Sequence, residues 1–281
     1  MILGAHVSVA GGLDLAPARG AAIGCEAIQI FSRNQRQWQA KPLTESDAEN
    51  FRAAFAASGL KSACIHASYL INLAAPDPLT WQKSIKTLTD ELRRAKMLGI
   101  PLVIVHPGAH KDRGVEAGWK RVAVALHRVL DLAKADHVTL LLENTAGQGT
   151  YLASTLEQLA FALQLLDAGH AAGVCLDTCH LFAAGNEFRA EAEYRRLKKK
   201  IAATIGLKKV RALHLNDSKK PFGSHVDNHA AIGKGHIGLK PFGFWMNDKT
   251  WAKTPAVLET PGGEKNYQRE LRLLPKLSGI N

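Results

Sequence analysis

Nine side chains able to hold a divalent cation are spread along this chain: His66, His106, Glu143, Asp177, His180, His214, Asp227, His229 and Glu259. Imidazole and carboxylate suit zinc, manganese or iron. The densest stretch is Val210 to Gly238, VRALHLNDSKKPFGSHVDNHAAIGKGHIG. It opens with an apolar run, Val210 to Leu215, that reads as a buried strand containing His214. Asp227 and His229 follow two residues apart, a spacing that points both the same way in an extended segment, toward one ion. Taken singly, each residue has a plainer reading. A His after a strand is commonly a hydrogen-bonded core group, and an Asp or Glu at a strand end commonly caps the next helix. Taken together that reading weakens, because the four carboxylates (Glu143, Asp177, Asp227, Glu259) would repel if crowded and uncompensated charge is costly. Cations between them resolve the conflict. The set exceeds what one tetrahedral zinc can use, so either several ions are held or some residues stand behind the ligands and orient them. Two or more ions roughly 3.5–4 Å apart would suit phosphoester cleavage.

The elements that must position these residues are short apolar runs alternating with amphipathic stretches. The strand candidates are Ile2–Ala5, Ala27–Phe31, Ala63–Ile65, Leu102–Val105, Val138–Leu142, Val174–Leu176, Val210–Leu215 and Ala256–Leu258. Helix starts are marked by capping-box pairs, Thr44 with Asp47 and Ser154 with Glu157. The periodic segment Leu79–Leu98 stops at Gly99. Eight strand–helix units in 281 residues predict an α/β fold, a (β/α)8 TIM barrel, as one domain over 1–281. Apolar runs without alternation fit parallel strands buried on both faces, and a doubly wound open sheet is the competitor. Six successive strands then deliver His66, His106, Glu143, Asp177, His214 and Glu259 at their carboxyl ends, which in a barrel converge on one mouth. His6 reaches the same rim, either behind the ligands or as structure.

Hydrophobic residues make up 46%, ordinary for a globular chain. Lys plus Arg total 36 against 25 acidic residues, a net charge of +11 that favours a polyanionic partner, most simply nucleic acid. The run Arg195–Lys200 reads as a solvated helix face. Cys25, Cys64 and Cys175 fall in apolar surroundings, and Cys179 lies near the ligand residues without a CxxC spacing. No disulfide framework is visible, which implies a reducing, cytoplasmic setting, nucleoid-associated if the polyanionic partner is DNA. No signal peptide and no apolar run of membrane-spanning length is present. The GKGHIG segment, Gly233–Gly238, matches neither a dinucleotide fingerprint nor a Walker loop; its glycines permit a tight turn. GQG at Gly147–Gly149 lacks the central serine of a nucleophile elbow.

Longer motifs carry a resemblance. GVCLDTCH (Gly173–His180), HASYLINLA (His66–Ala74), LHLNDSKKPFGS (Leu213–Ser224), GAHVSVAGG, FSRNQRQW (Phe31–Trp38), HPGAH (His106–His110), LENTAGQG (Leu142–Gly149) and LET (Leu258–Thr260) together resemble the endonuclease IV family of apurinic/apyrimidinic endonucleases, in that family's order and over essentially the whole chain. The resemblance implies a (β/α)8 barrel with a trinuclear zinc site. His66, His106 and Glu143 would hold one ion. Glu143, Asp177, His214 and Glu259 would hold a second, with Glu143 bridging, and His180, Asp227 and His229 the third. Manganese also suits some of these positions. The implied reaction is hydrolysis 5′ to an abasic site in double-stranded DNA, leaving a 3′-hydroxyl, with removal of blocked 3′ ends as companion activity. Glu143 or Glu259 would orient the attacking water. Arg36, Tyr69 and Leu70 match positions that penetrate the duplex and fill the space of the flipped nucleotide. Lys219 and Lys220 would contact phosphates. A monomer suffices for this chemistry. Two positions depart from the family pattern: Ala67 stands where Asp is common, and Asn228 where a basic residue is usual.

Two rival readings exist. A sugar isomerase or epimerase would use the same barrel with fewer metals and a carboxylate base; the His180, Asp227, His229 group and the positive charge speak against it. A lesion-binding protein without catalysis is the other, and a complete ligand set speaks against that.

Overall fold

The structure, a computed structural model, describes residues 1–166 and 172–279. Its centre is a closed parallel barrel of strands β1 (Ile2–His6), β2 (Ala27–Ile30), β3 (Ser62–His66), β4 (Leu102–Val105), β5 (Thr139–Glu143), β6 (Ala172–Asp177), β7 (Val210–His214) and β10 (Pro255–Leu258), with β1 paired to both β2 and β10. The predicted (β/α)8 barrel is therefore the observed fold, and the open-sheet alternative is excluded by closure.

Helices α1 (Leu15–Ala22), α2 (Glu45–Ser58), α3 (Pro78–Leu98), α4 (Val115–Ala133), α5 (Leu156–Leu166), α6 (Thr178–Ala183), α7 (Glu191–Thr204), α8 (Leu239–Asn247) and α9 (Gly263–Leu273) lie between and after the strands. None of the helices described is long and apolar enough to cross a membrane.

The interior of the barrel is filled by Cys64, Leu102, Ile104, Leu141, Cys175, Ala212 and Val257, so the chemistry is confined to the rim. The outward strand faces pack against the helices in a second, larger apolar layer containing Ile28, Leu88, Trp119, Leu140 and Phe242. Gly4 is required where β1 meets β2, because a Cβ there would lie 1.9 Å from the Ala27 carbonyl oxygen. All four cysteines are free and buried. Burial pushes the Cys25 and Cys175 thiols up to about 12, which keeps both neutral packing groups.

The local signals act as expected at two helices. Thr44 caps α2 in a full capping box with Asp47, and α3 ends at Gly99 with φ 70°. The third differs. Thr155, not Ser154, caps α5: its hydroxyl accepts from Gln158 N at 3.2 Å. Ala153, two residues before this cap, takes a left-handed φ of 66°. Glu157, expected to close the box, pairs with Lys200 at 3.0 Å instead.

Between β7 and α8 the chain departs from the simple alternation. Asp217–Ser218 (β8) and His229–Ala230 (β9) form a two-residue antiparallel ribbon over the mouth. The carboxylate of buried Asp217 pins the next loop by accepting from the amides of Ser218 (2.7 Å), Gly235 (2.9 Å) and Ile237 (2.9 Å). The Arg195–Lys200 run is on α7, where Arg195 pairs with Glu191 (2.5 Å) and Lys198 with Asp248 (2.7 Å).

Candidate metal centre

Each strand-end residue arrives at the mouth by the simplest route. His66, Glu143, Asp177 and His214 are the last residues of β3, β5, β6 and β7. His106 and Glu259 lie one residue beyond β4 and β10. His180 is delivered by α6, which starts immediately after Asp177; His229 opens β9, and Asp227 lies two residues before it in the loop that joins the two ribbon strands. All nine sequence-derived candidates meet there. They fall into three groups, each with its donor atoms within 4.8 Å of one another: His66, His106 and Glu143; Glu143, Asp177, His214 and Glu259; His180, Asp227 and His229. A fourth group, Asp177, Cys179 and His229, draws on two of the same residues and adds a buried cysteine that the sequence reading did not count as a ligand.

Glu143 sits between the groups. Its Oε2 faces His66 Nε2 (3.1 Å) and His106 Nε2 (3.4 Å), while its Oε1 faces His214 Nδ1 (2.8 Å) and His180 Nδ1 (3.5 Å). His214 Nδ1 also lies 3.3 Å from Glu259 Oε2 and 3.9 Å from Asp177 Oδ2. In the third group, Asp227 presents one oxygen to His180 Nε2 (3.2 Å) and the other to His229 Nε2 (3.3 Å).

A surrounding layer of hydrogen bonds decides which ring nitrogen is left for an ion. His66 Nδ1 lies 2.8 Å from the Ala67 carbonyl oxygen, and His180 Nδ1 lies 2.9 Å from that of Asn144, so each Nδ1–H is committed and Nε2 is free. His66 is held by the backbone of Ala67, so this contact does not depend on which side chain stands there. His214 is turned the other way: its Nε2 lies 2.8 Å from the Gln29 amide oxygen, which leaves Nδ1 toward the carboxylates. The Gln29 amide nitrogen in turn donates to Glu259 Oε1 (2.5 Å) and lies 2.9 Å from His6 Nδ1. Asn216 donates to Asp177 Oδ2 (2.6 Å) and accepts from Glu259 N (2.9 Å). Gln29, Asn144 and Asn216 escaped the sequence reading, since an amide within or beside an apolar run carries no ligand signal. His6 belongs to this supporting layer.

The electrostatics show what the site calls for. Burial disfavours charge throughout, yet His214 and the other imidazoles hold the Glu143 and Glu259 carboxyls well below the usual range. Asp227, against its own burial, is held at about 2 by His180 and His229. Reciprocally, burial opposes charge on His180, but Asp177, Asp227 and Glu143 outweigh it and push the ring up to about 10. Burial also resists charge on His66 and His214, and Glu143 and Glu259 raise both. His106 goes the other way, lowered to about 4 by burial, and remains a neutral donor. Protons on the imidazoles thus balance the carboxylates, a task for which a divalent cation is better suited. The fit to metal also rests on orphaned atoms: buried His180 Nε2 and His229 Nε2 have no hydrogen-bond partner, although Asp227 is close to both. Nitrogens converging on a shared point with a carboxylate are what an ion requires.

Above the groups, Tyr69 is 64% exposed, which removes core packing as its role. Its ring stands on Phe31 (5.5 Å) and His66 (5.6 Å). Leu70 is half-buried beside it, and Arg36, Lys219 and Lys220 are exposed. A cavity of about 200 Å³ opens between Tyr69 and Tyr151, floored by His106, His180 and Asp227. The loop bearing Arg36 is fastened from below: Arg33 donates to the carbonyls of Gln37 (3.2 Å) and Trp38 (2.7 Å), and Arg94 to that of Ser32 (3.1 Å). Ser68 donates to the Gln35 carbonyl at 2.8 Å, tying the Arg36 loop to the Tyr69 loop.

The profile of the xylose isomerase-like TIM barrel family matches residues 17–277. Proteins described as probable endonuclease 4 are similar throughout. That of Chloroflexus aurantiacus is 43% identical over 270 residues, 96% of this chain and 95% of the relative. That of Geobacter sulfurreducens is 45% identical over 262 residues, 93% and 88% of the two chains. Among solved structures, endonuclease IV from Thermus thermophilus superposes with a TM-score of 0.88 at 35% identity, covering 99% of this chain and 98% of the other. A D-tagatose 3-epimerase-like protein shares the fold alone, with a TM-score of 0.76 at 17% identity over 99% and 97% of the chains.

Proposed function

Because this chain belongs to the endonuclease IV family of xylose isomerase-like TIM barrels, we propose that it is the DNA repair nuclease that hydrolyses the phosphodiester bond 5′ to an abasic site in duplex DNA and leaves a 3′-hydroxyl. Removal of blocked 3′ ends follows from the same chemistry. The observation that carries this reading is the two-sided placement of Glu143, one oxygen toward His66 and His106 and the other toward His214. A bridging carboxylate of this kind suits a multi-ion phosphodiesterase and has no use in a single-ion sugar epimerase.

Three zinc ions fit the donor sets: one on His66, His106 and Glu143, one on Glu143, Asp177, His214 and Glu259, and one on His180, Asp227 and His229. Manganese also suits the carboxylate-rich set. When bound, the ions supply Lewis acidity that acidifies water and draws charge from the phosphodiester. The chain's own residues do the rest. Gln29 holds one oxygen of Glu259 and leaves the other facing the second ligand group, where Glu259 would orient the attacking water beside the ion it helps to hold. Glu143, fully buried, keeps the groups at fixed separation. Tyr69 and Leu70 cover apolar surface lost when the base stack opens, Arg36 adds a charged contact, and Lys219 and Lys220 hold phosphates. On this reading the protein acts as a monomer of one domain, in the cytoplasm with the nucleoid DNA.

The test is a labelled duplex with a single abasic analogue. The expected product is a nick on the 5′ side whose 3′ end a polymerase extends. Glu259→Gln lowers the cleavage rate by about 100-fold or more while binding persists. Metal analysis should find about three zinc ions per chain. Binding of the duplex without strand cleavage, or one exchangeable ion per chain, would overturn the reading.

A further inference from the structure

The last helix carries a row of exposed cations; of these Arg269 donates to the Asn266 side-chain oxygen, and among the described residues no carboxylate pairs with any of them. Lys265, Arg269 and Arg272 on α9 and Lys276 in the 3-10 turn Leu274–Leu277 are all exposed. Their spacing of i, i+4, i+7 and i+11 places them on one face, opposite the buried Glu270, Leu271 and Leu274. Lys234, from the loop after the ribbon, faces them across a groove of about 490 Å³ that has no acidic residue in its lining. Among the described residues, none of these five cations forms an ion pair with a carboxylate. The contrast with α7 is direct, since its basic run is engaged by Glu191, Glu193, Asp248 and Glu157. Like charges stacked one turn apart destabilise a helix, so a row without acids serves stability poorly.

The groove is fastened to the mouth. Glu270, on the inner face of α9, accepts from Ile232 N at 2.6 Å and from the hydroxyl of Thr260. Thr260 follows Glu259, and Ile232 lies three residues after His229. One carboxylate thereby locks the basic face to both chain segments that bring ligands to the site. Since α9 follows β10, its N-terminal end with Lys265 is at the rim, and the row runs down the barrel wall for roughly 16 Å, the length of about five phosphates along one strand.

We propose that this row is a second DNA-contact surface that takes the phosphate backbone of the duplex flanking the cleavage site. It rests on the reading that the mouth binds duplex DNA. Reaching Lys276 requires the flank to lean down the wall, so the contribution grows with flank length. The contacts are to phosphates alone, so they add affinity and salt sensitivity without sequence or lesion preference.

The test uses the full chain with its metals and the triple variant Lys265→Gln, Arg269→Gln, Arg272→Gln, whose exposed positions leave the core untouched. Dissociation constants are measured for abasic-analogue duplexes of about ten and about forty base pairs over a range of salt. For the long duplex the variant should bind at least about tenfold more weakly at low salt, with a salt slope shallower by roughly 2–3. Binding of the short duplex and its single-turnover cleavage rate should be unchanged. An unaltered slope and affinity on the long duplex would overturn the proposal. So would equal losses on both lengths, which would place these cations at the mouth. Failure of the wild-type protein to bind or cleave either duplex would instead remove the functional reading beneath it.

Discussion

Gln29 shows how much of the metal centre depends on a side chain that ligates nothing. It accepts from His214 and donates to Glu259, fixing one ring tautomer and one carboxylate orientation at once. Gln29→Leu should therefore weaken zinc affinity by roughly 10–100-fold with the barrel intact, measured by competition with a chromophoric chelator. Unchanged affinity would reduce Gln29 to packing. Glu91 poses a different question under the Arg36 loop. Arg33 and Arg94 give their guanidinium groups to Asp90 at 2.9 and 2.8 Å, leaving buried Glu91 with the Ser32 hydroxyl. Burial pushes its carboxyl from 4.5 up to about 7. The folded protein thus keeps a proton that the unfolded chain releases. The stability this gives is complete below pH 4.5 and is lost as pH rises through about 7. Glu91→Gln should flatten that decline, by at most roughly 3 kcal/mol between pH 5 and pH 8. Urea unfolding of both proteins at the two pH values checks it; an equal drop in both would show that Glu91 is ionised throughout.

Among the elements, the β8–β9 ribbon is the piece that makes the third ligand group. It carries His229, with Asp227 two residues ahead in the connecting loop, over the mouth but consists of two residues on each side, so its position depends on Asp217 and on the loop through Gly235. A Cβ at Gly235 would lie 2.2 Å from the Ser218 carbonyl oxygen and 2.5 Å from Asp217 Oδ1, both immobile. Gly235→Ala should displace the ribbon, lower zinc content by about one ion per chain and cut cleavage at least about tenfold, with far-ultraviolet circular dichroism unchanged. Full zinc content in that variant would show that the ribbon tolerates the strain. The glycine-rich segment was legible as a tight turn but not as a clamp, because the clash partner is 17 residues away in the chain. The barrel strands and the caps of α2 and α3 were legible for the opposite reason: an apolar run, a capping pair and a glycine stop act within a few residues. The cap of α5 falls one residue later than expected because Ser154 and Thr155 are both competent caps and adjacent in sequence, and only the folded chain shows that Thr155 takes the Gln158 amide.

Across the molecule, two apolar layers hold the barrel closed without help from the rim. Removing metal should therefore lower the melting temperature without unfolding the chain at ambient temperature. Each ion present at about 1,000 times its dissociation constant contributes roughly 4 kcal/mol, a shift on the order of 10 °C per ion for a chain of this size. Scanning fluorimetry with and without a chelator measures it, and an unchanged melting temperature would mean the ligand groups hold no tightly bound ion. The fold class, and the arrival of His66, His106, Glu143, Asp177, His214 and Glu259 at one rim, could be read from the order of residues alone. Strand ends are set by local hydrophobic runs, and parallel closure sends every carboxyl end the same way. The grouping of ligands rested on family resemblance, because no spacing reveals which strand ends are neighbours. It took the folded chain to show which oxygen of Glu143 faces which ring, which nitrogen of His66, His180 and His214 is left for an ion, and that among the described residues the cations of α9 lack the carboxylate partners that α7 has. Those outcomes depend on contacts between residues 71 or 185 positions apart, such as Glu143 with His214 and Gln29 with His214, and such distances exist only once the barrel has closed.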